Sequence, residues 1–374
     1  MAETRRFIKA DILTSGTKIM SVGENIPCQE DTVKVDLSGK YVIPGLVDVH
    51  THGRAGHDFN NVTSDDVKEM RLSYAAKGTT TVMATLASAT PESLEASAAA
   101  IGSSRVEKSG MATIAGVHLE GRYLNPSRRG AHATELLAPL DGSEAGALID
   151  KMMPAPVHVS AALELADDSF YNAVLSRGAT LGLAHSDATY EQAMSAVDKG
   201  AVSFTHTFNA MRPIHHREPG NAAASMMCDR AYSEIICDGE HVHPAMVDML
   251  RRMKPKDKLV LITDSMEAAG SDDGEYAIAG QKVFVKNGRA VNVDGALAGS
   301  TLDLFCALKN YMRFCSVTLE EAIPTATLNP ASMVGIDNIC GSISEGKRAD
   351  FLILDSKEDM NLLEVWAAGE KVTE

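Results

Sequence analysis

No two cysteines of this 374-residue chain stand in a C-x-x-C pair. The six thiols (Cys28, Cys228, Cys237, Cys306, Cys315 and Cys340) are scattered, which excludes a dense disulfide frame and reads as packing residues in a reducing cytosol. No stretch approaches the roughly 20 apolar residues needed to span a bilayer. The first ten residues carry charges and no apolar run of signal-peptide length. The expectation is a cytoplasmic protein with no membrane partner. Lys plus Arg number 35 against 50 Asp plus Glu, a net charge of -15 with no basic stripe, and this excludes nucleic acid as a partner. An anionic ligand would need a local cationic pocket, because the global field repels it. There is no internal repeat and no low-complexity segment.

The chain length suits one large barrel with a small satellite domain. Eight short apolar runs alternate with helical patterns, at 45–50, 79–86, 113–119, 157–163, 180–184, 202–206, 234–237 and 259–263. That number and that near-continuous apolar character fit the buried parallel strands of a (β/α)8 TIM-type barrel. Helix signals fall between them. Thr63 and Ser64 precede an acidic turn; Val67, Met70 and Tyr74 then share a face, and Gly78 ends the helix. Thr189 with Gln192, and Thr318 with Glu321, have capping-box spacing. The two ends break the rhythm. Alternations at 7–13, 32–37, 349–354 and 364–366 read as small strands, so residues 1–44 and 341–374 are expected to form one small β-sandwich domain beside a 45–340 barrel. A further alternation at 273–294, with an Asn287-Gly288 turn, reads as a hairpin insertion or another part of that β domain.

The chemistry lies in where histidines and carboxylates fall. His50 and His52 close the first run, and residues two apart on a strand point the same way. Glu120 ends the third run, His185 the fifth, His206 the sixth and Asp264 the eighth. In a barrel these ends converge on one face, where barrel enzymes keep their active sites. Imidazole and carboxylate together suit zinc, iron, cobalt or manganese better than calcium. A lone strand-end histidine is more often structural, but four histidines and two carboxylates at matching ends point to a metal site. No lysine stands where a carbamylated bridge would need one.

The stretch Pro44 to His52, His118-Leu-Glu-Gly121, His206-Thr-Phe-Asn-Ala-Met211, Arg217-Glu-Pro-Gly220 and Thr263-Asp-Ser-Met266 resembles the N-acetylglucosamine-6-phosphate deacetylases of the amidohydrolase superfamily. Asn329-Pro-Ala331 and the passage from Gly341 to Phe351 extend the likeness to nearly the whole chain. The resemblance implies a central metal set of Glu120, His185 and His206. It implies a second set, His50 and His52, that some members use for another ion, with Glu120 bridging and Asp264 also a ligand. One or two divalent ions are expected, zinc first, with iron, cobalt or manganese as alternatives. Asp264 matches the catalytic carboxylate, and the chemistry agrees, since a nearby carboxylate can carry a proton from water to a poor leaving amine. His132 matches a histidine that contacts the acetyl carbonyl. Asn209, Ala210 (through its backbone N–H), Arg217 and His241 match substrate-phosphate contacts. His215 and His216 add nearby donors, His118 could stand behind Glu120, and His158 and His243 are assigned to structure. The family also implies a homodimer, with Arg217 near its interface.

The implied reaction is hydrolysis of N-acetyl-D-glucosamine 6-phosphate to the amine and acetate. The galactosamine epimer is the alternative; a cyclic-amide or isoaspartyl-peptide hydrolase, or a non-catalytic sugar-phosphate binder, stands further off. Two departures bear on the substrate. Arg122 follows Gly121 where many members have proline, which would free that loop and add a cation that either alters the pocket or pairs with an acid. Glu267 stands where small or apolar residues are common, and facing the pocket it would change which sugar hydroxyl is recognised.

Overall fold

The computed structural model describes residues 4–105 and 110–373; the first three residues of the expected terminal β segment and its last, Glu374, lie outside them. Eight parallel strands form one sheet in chain order. They are β1 (Leu46–Thr51), β2 (Thr79–Leu86), β3 (Thr113–Glu120), β4 (Val157–Ala161), β5 (Thr180–Leu183), β6 (Ala201–Phe204), β7 (Tyr232–Ile236) and β8 (Leu259–Ile262). The first and last strands meet at the mouth. There Thr51 bridges Ser265 in parallel, and the Asp264 N–H donates to His50 O at 2.9 Å. The eight residues of β2 are all buried, the signature of a strand covered on both faces. The expected (β/α)8 barrel is what the chain forms.

Local chemistry explains the surrounding helices. Thr63 and Asp66 make a reciprocal capping box at the start of Ser64–Ala76, with Asp65 and Asp66 at the positive end of the helix dipole. Val67, Met70 and Tyr74 are buried against the barrel, each contributing about 1.5–3 kcal/mol. Thr189 with Gln192, and Thr318 with Glu321, form the other two boxes as their spacing predicts.

Where strands stop differs from the apolar runs. β4, β5, β6 and β8 end before Leu163, Ala184, His206 and Thr263. The backbone turns left-handed at His185 (φ 44°), His206 (φ 32°) and Asp264 (φ 49°), which breaks the ladder. Conversely β7 begins earlier, at Tyr232.

The terminal segments meet. Tyr41–Pro44 pairs antiparallel with Phe351–Leu354, which pairs with Leu362–Ala367. A two-stranded sheet, Asp11–Ser15 with Lys18–Gly23, packs on it through Ile19, Ile343, Ala349, Phe351 and Ile353. The expected strand at 32–37 is absent: Val33 is 86% exposed, so its alternation has no partner surface to bury against. The 273–294 segment is more than a hairpin. Gly274–Ile278, Gln281–Lys286 and Arg289–Asn292 form their own three-stranded antiparallel sheet, turning at Asn287 (φ 52°) and Gly288 (φ 76°). All six cysteines are free. No helix among the described residues is long and apolar enough to cross a membrane.

Candidate active site

The six candidate metal ligands converge at the barrel mouth. Glu120 ends β3 and stands between two groups of donors. Its Oε2 lies 3.4 Å from His50 Nε2 and 3.0 Å from His52 Nε2. Its Oε1 lies 2.9 Å from His206 Nε2 and 3.4 Å from His185 Nε2. Asp264 Oδ1 closes the first group, 3.5 Å from His50 Nε2 and 3.3 Å from His52 Nε2. His50, His52, Glu120 and Asp264 form one set able to hold an ion; Glu120, His185 and His206 form another. One carboxyl faces both.

The donors fit metal better than they fit each other. His50 Nε2 is buried without a hydrogen-bond partner among the described residues, although two carboxyls face it. The Nε2 atoms of His185 and His206 stand 3.1 Å apart, a contact that a shared cation would relieve. His185 Nδ1–H donates to the Arg128 carbonyl at 2.8 Å, which leaves its Nε2 bare toward Glu120.

The pKa shifts follow the same arrangement. Burial alone would lower the His50 and His52 pKa values, but the Glu120 and Asp264 carboxylates outweigh it. His50 is held well above the ordinary range and His52 at about 9. Burial alone would raise the two carboxyls; the histidines instead hold Glu120 well below its usual range and Asp264 at about 2. Positive and negative groups are packed where cations would sit.

Left-handed backbone is the device that aims three of these side chains, and strain of this kind collects at functional sites. Asp264 is held in it from both sides, since its N–H donates to His50 O and its carbonyl accepts from Ser300 N at 2.8 Å. Phe208 (φ 81°) and Ala210 (φ 49°) continue the pattern after His206. The sequence signal for these turns is weak, because none of the five residues is glycine.

His132 sits beside the metal cluster, its Nε2 3.9 Å from Glu120 Oε2. Burial, with neighbouring His185, pushes its pKa down to about 3, so the ring is neutral. Ser88 sets its tautomer. The Ser88 N–H donates to His132 Nδ1 at 3.4 Å, and Ser88 Oγ lies 2.9 Å from the same atom. The Arg122 N–H donates to Ser88 Oγ at 2.8 Å, which turns the hydroxyl proton toward Nδ1. The imidazole proton is therefore on Nε2, on the cavity side. Gly121 (φ 141°) is required here, because a Cβ would stand 2.4 Å from Ser88 N.

A cavity of about 150 Å3 opens above the cluster, lined by His52, Glu120, His132, His185, His206, Asn209, Ala210, His241 and Asp264. His241 Nδ1 lies 2.6 Å from Asp238 Oδ2; burial would lower its pKa, but Asp238 raises it above the ordinary value. Asn209 Nδ2 donates to the His206 carbonyl at 3.2 Å. Arg217 is not brought to this cavity. The His215–Glu218 bridge turns its loop outward, and the exposed guanidinium lies 2.7 Å from His216 Nε2. The cavity wall also includes Ile278, Ala279 and Leu297 to Gly299. Sequence reasoning missed these, for they are small or apolar residues supplied by the inserted sheet and its exit.

Arg122 pairs with an acid, one of the roles its sequence position allowed, and neither Arg122 nor Glu267 reaches the pocket. Arg122 does not free its loop. Its guanidinium pairs with Glu144 at 2.8 Å and donates to Ala89 O at 2.8 Å, and a proline could supply neither its N–H nor its φ of 43°. Glu267 faces the inserted sheet, where its Oε1 accepts from Ala277 N at 2.6 Å. Neither lines the cavity. His158 is bonded to Thr180, and His243 caps the Pro244–Met253 helix. His118 lies deeper, 2.8 Å from Ser160 Oγ.

Residues 41–372 match the amidohydrolase family. The chain belongs to that family. Among related amidohydrolases it is 34% identical to N-acetylgalactosamine-6-phosphate deacetylase of Escherichia coli O157:H7, covering 87% of this chain and 86% of that one. It is 33% identical to N-acetylglucosamine-6-phosphate deacetylase of Vibrio furnissii, covering 94% and 88%. A solved Mycobacterium smegmatis N-acetyl-D-glucosamine-6-phosphate deacetylase variant, in complex with N-acetyl-D-glucosamine-6-phosphate, matches with a TM-score of 0.88. The identity is 32%, over 96% of this chain and 94% of that chain.

Proposed function

We propose that this amidohydrolase removes the acetyl group from N-acetyl-D-glucosamine 6-phosphate, releasing acetate and glucosamine 6-phosphate. The observation that carries the reading is one cavity bounded by the Glu120-centred cluster on one side and by Asn209, Ala210 and His241 on another. The names of its relatives support an acetylated amino-sugar phosphate, and they include both epimers.

Glu120, His185 and His206 would hold one divalent ion, and His50, His52 and Asp264 a second that shares Glu120; zinc is the first candidate, with iron, cobalt and manganese as alternatives. A bound ion of this kind acidifies water toward neutrality and polarises a carbonyl. Asp264 takes the proton of the attacking water and returns it to the amide nitrogen as the C–N bond breaks. His132 donates its Nε2–H to the acyl oxygen as charge develops there. His241, held by Asp238, binds the phosphate with Asn209 and the Ala210 N–H. A homodimer is proposed as well, with the exposed loop carrying Ile214 (46% exposed) and Arg217 near the interface. The free cysteines suit the cytoplasm.

Acetate release from the two epimeric sugar phosphates tests the substrate. The glucosamine form is expected to show the higher kcat/KM; a higher value for the galactosamine form would reassign the enzyme to that epimer.

A further inference from the structure

Glu234 lies in β7, fully buried inside the barrel beneath the metal cluster. Its Oε2 is 3.2 Å from His50 Nδ1 and accepts the His206 backbone N–H at 3.3 Å. Its Oε1 has no hydrogen-bond partner among the described residues, and the group facing it is His158 Nε2 at 3.9 Å. That ring is engaged elsewhere, Nδ1 with Thr180 Oγ1 at 2.8 Å and Nε2 with Ser203 Oγ at 3.3 Å. A buried carboxyl with so few partners is costly to keep. What it does touch are two candidate ligands, one on each side of Glu120.

A histidine that ligates through Nε2 must carry its proton on Nδ1, and the acceptor of that proton fixes both tautomer and ring angle. For His185 the acceptor is the Arg128 carbonyl. The Nδ1 atoms of His52 and His206 have no partner among the described residues. His50 alone of the four is backed by a carboxyl.

We infer that Glu234 is the positioning residue for the His50, His52 and Asp264 side of the centre. Its Oε2 accepts the His50 Nδ1 proton and keeps Nε2 bare and aimed at the ion site. This rests on the two-ion reading above. It gives a buried residue with no contact to substrate control over whether the second ion stays.

The test is equilibrium dialysis of metal-stripped full-length protein against Zn2+, comparing wild type with Glu234→Gln, beside the melting temperature of the metal-free forms. Wild type is expected to bind two ions per chain. In E234Q the weaker site should lose about 10–100-fold in affinity while the tighter site stays within about twofold. A purely structural role would instead lower the metal-free melting temperature and weaken both sites together. The effect should also vanish in a His50→Gln background. Glu234→Asp keeps the charge and withdraws it by one methylene, so it should fall between wild type and E234Q, and it serves if E234Q does not fold. Two sites of wild-type affinity in E234Q, or a parallel loss at both, would overturn the assignment to Glu234. One ion in wild type would overturn the two-ion reading and this inference with it.

Discussion

Replacing Ser88 by alanine should slow catalysis while leaving phosphate recognition intact. Ser88 touches neither the candidate phosphate residues nor the metal ligands; its Oγ accepts from Arg122 N and lies 2.9 Å from His132 Nδ1. Alanine removes that bond and leaves only the longer Ser88 N–H contact at 3.4 Å. One such hydrogen bond is worth about 0.5–1.5 kcal/mol net. If the whole of it orients His132 toward the developing negative charge, kcat falls by up to about tenfold. The ceiling is the loss of the donor itself, about 10²–10³-fold, which His132→Ala should show. The orphaned Arg122 N–H adds a stability cost of about 1–3 kcal/mol, visible as a lowered melting temperature. Acetate release at saturating substrate gives kcat; the 15N shifts of the His132 ring report the tautomer. In a His132→Ala background the Ser88 penalty on kcat should disappear. A kcat within twofold of wild type in Ser88→Ala, or an undiminished penalty in the double variant, would refute the tautomer argument.

Asp264→Asn should cut kcat by about 10²–10⁴-fold, while the Glu120, His185 and His206 set still retains an ion by elemental analysis; activity within tenfold of wild type would remove Asp264 from proton transfer. His241→Asn should raise KM for the phosphorylated sugar far more than it lowers kcat, and an unchanged KM would take His241 out of phosphate binding. Metal uptake should release protons. His52 is protonated in the metal-free protein up to about pH 9, so apparent affinity for the ion it binds rises with pH until that value and falls below it. Calorimetry in buffers of differing ionisation enthalpy reads this directly, and no proton release at pH 7 would contradict the packing of charge around Glu120.

The barrel was legible because periodicity and punctuation agreed. Three capping boxes formed at Thr63, Thr189 and Thr318, and all eight apolar runs overlap a strand over most of their length. The metal cluster was legible because strand ends of a closed barrel must converge, whatever their exact last residue. What escaped depended on tertiary partners. Nothing in the local sequence shows that 32–37 finds no sheet, that the inserted sheet folds back so that Ile278 and Ala298 wall the cavity, or that Arg122 turns toward Glu144. The left-handed turns at His185, His206 and Asp264 were equally silent, because the surrounding bonds rather than residue propensity hold them there. Arg217 shows the converse: a matching motif places the residue on an exposed loop, outside the cavity of its own chain.

The most direct test compares acetate release by the metal-loaded protein from N-acetyl-D-glucosamine 6-phosphate and from the same sugar without phosphate. A deacetylase with a phosphate subsite at Asn209, Ala210 and His241 should favour the phosphorylated sugar in kcat/KM by at least about 10²-fold, as expected when charge-assisted bonds are lost from a partly buried site. Equal kcat/KM for the two would contradict it.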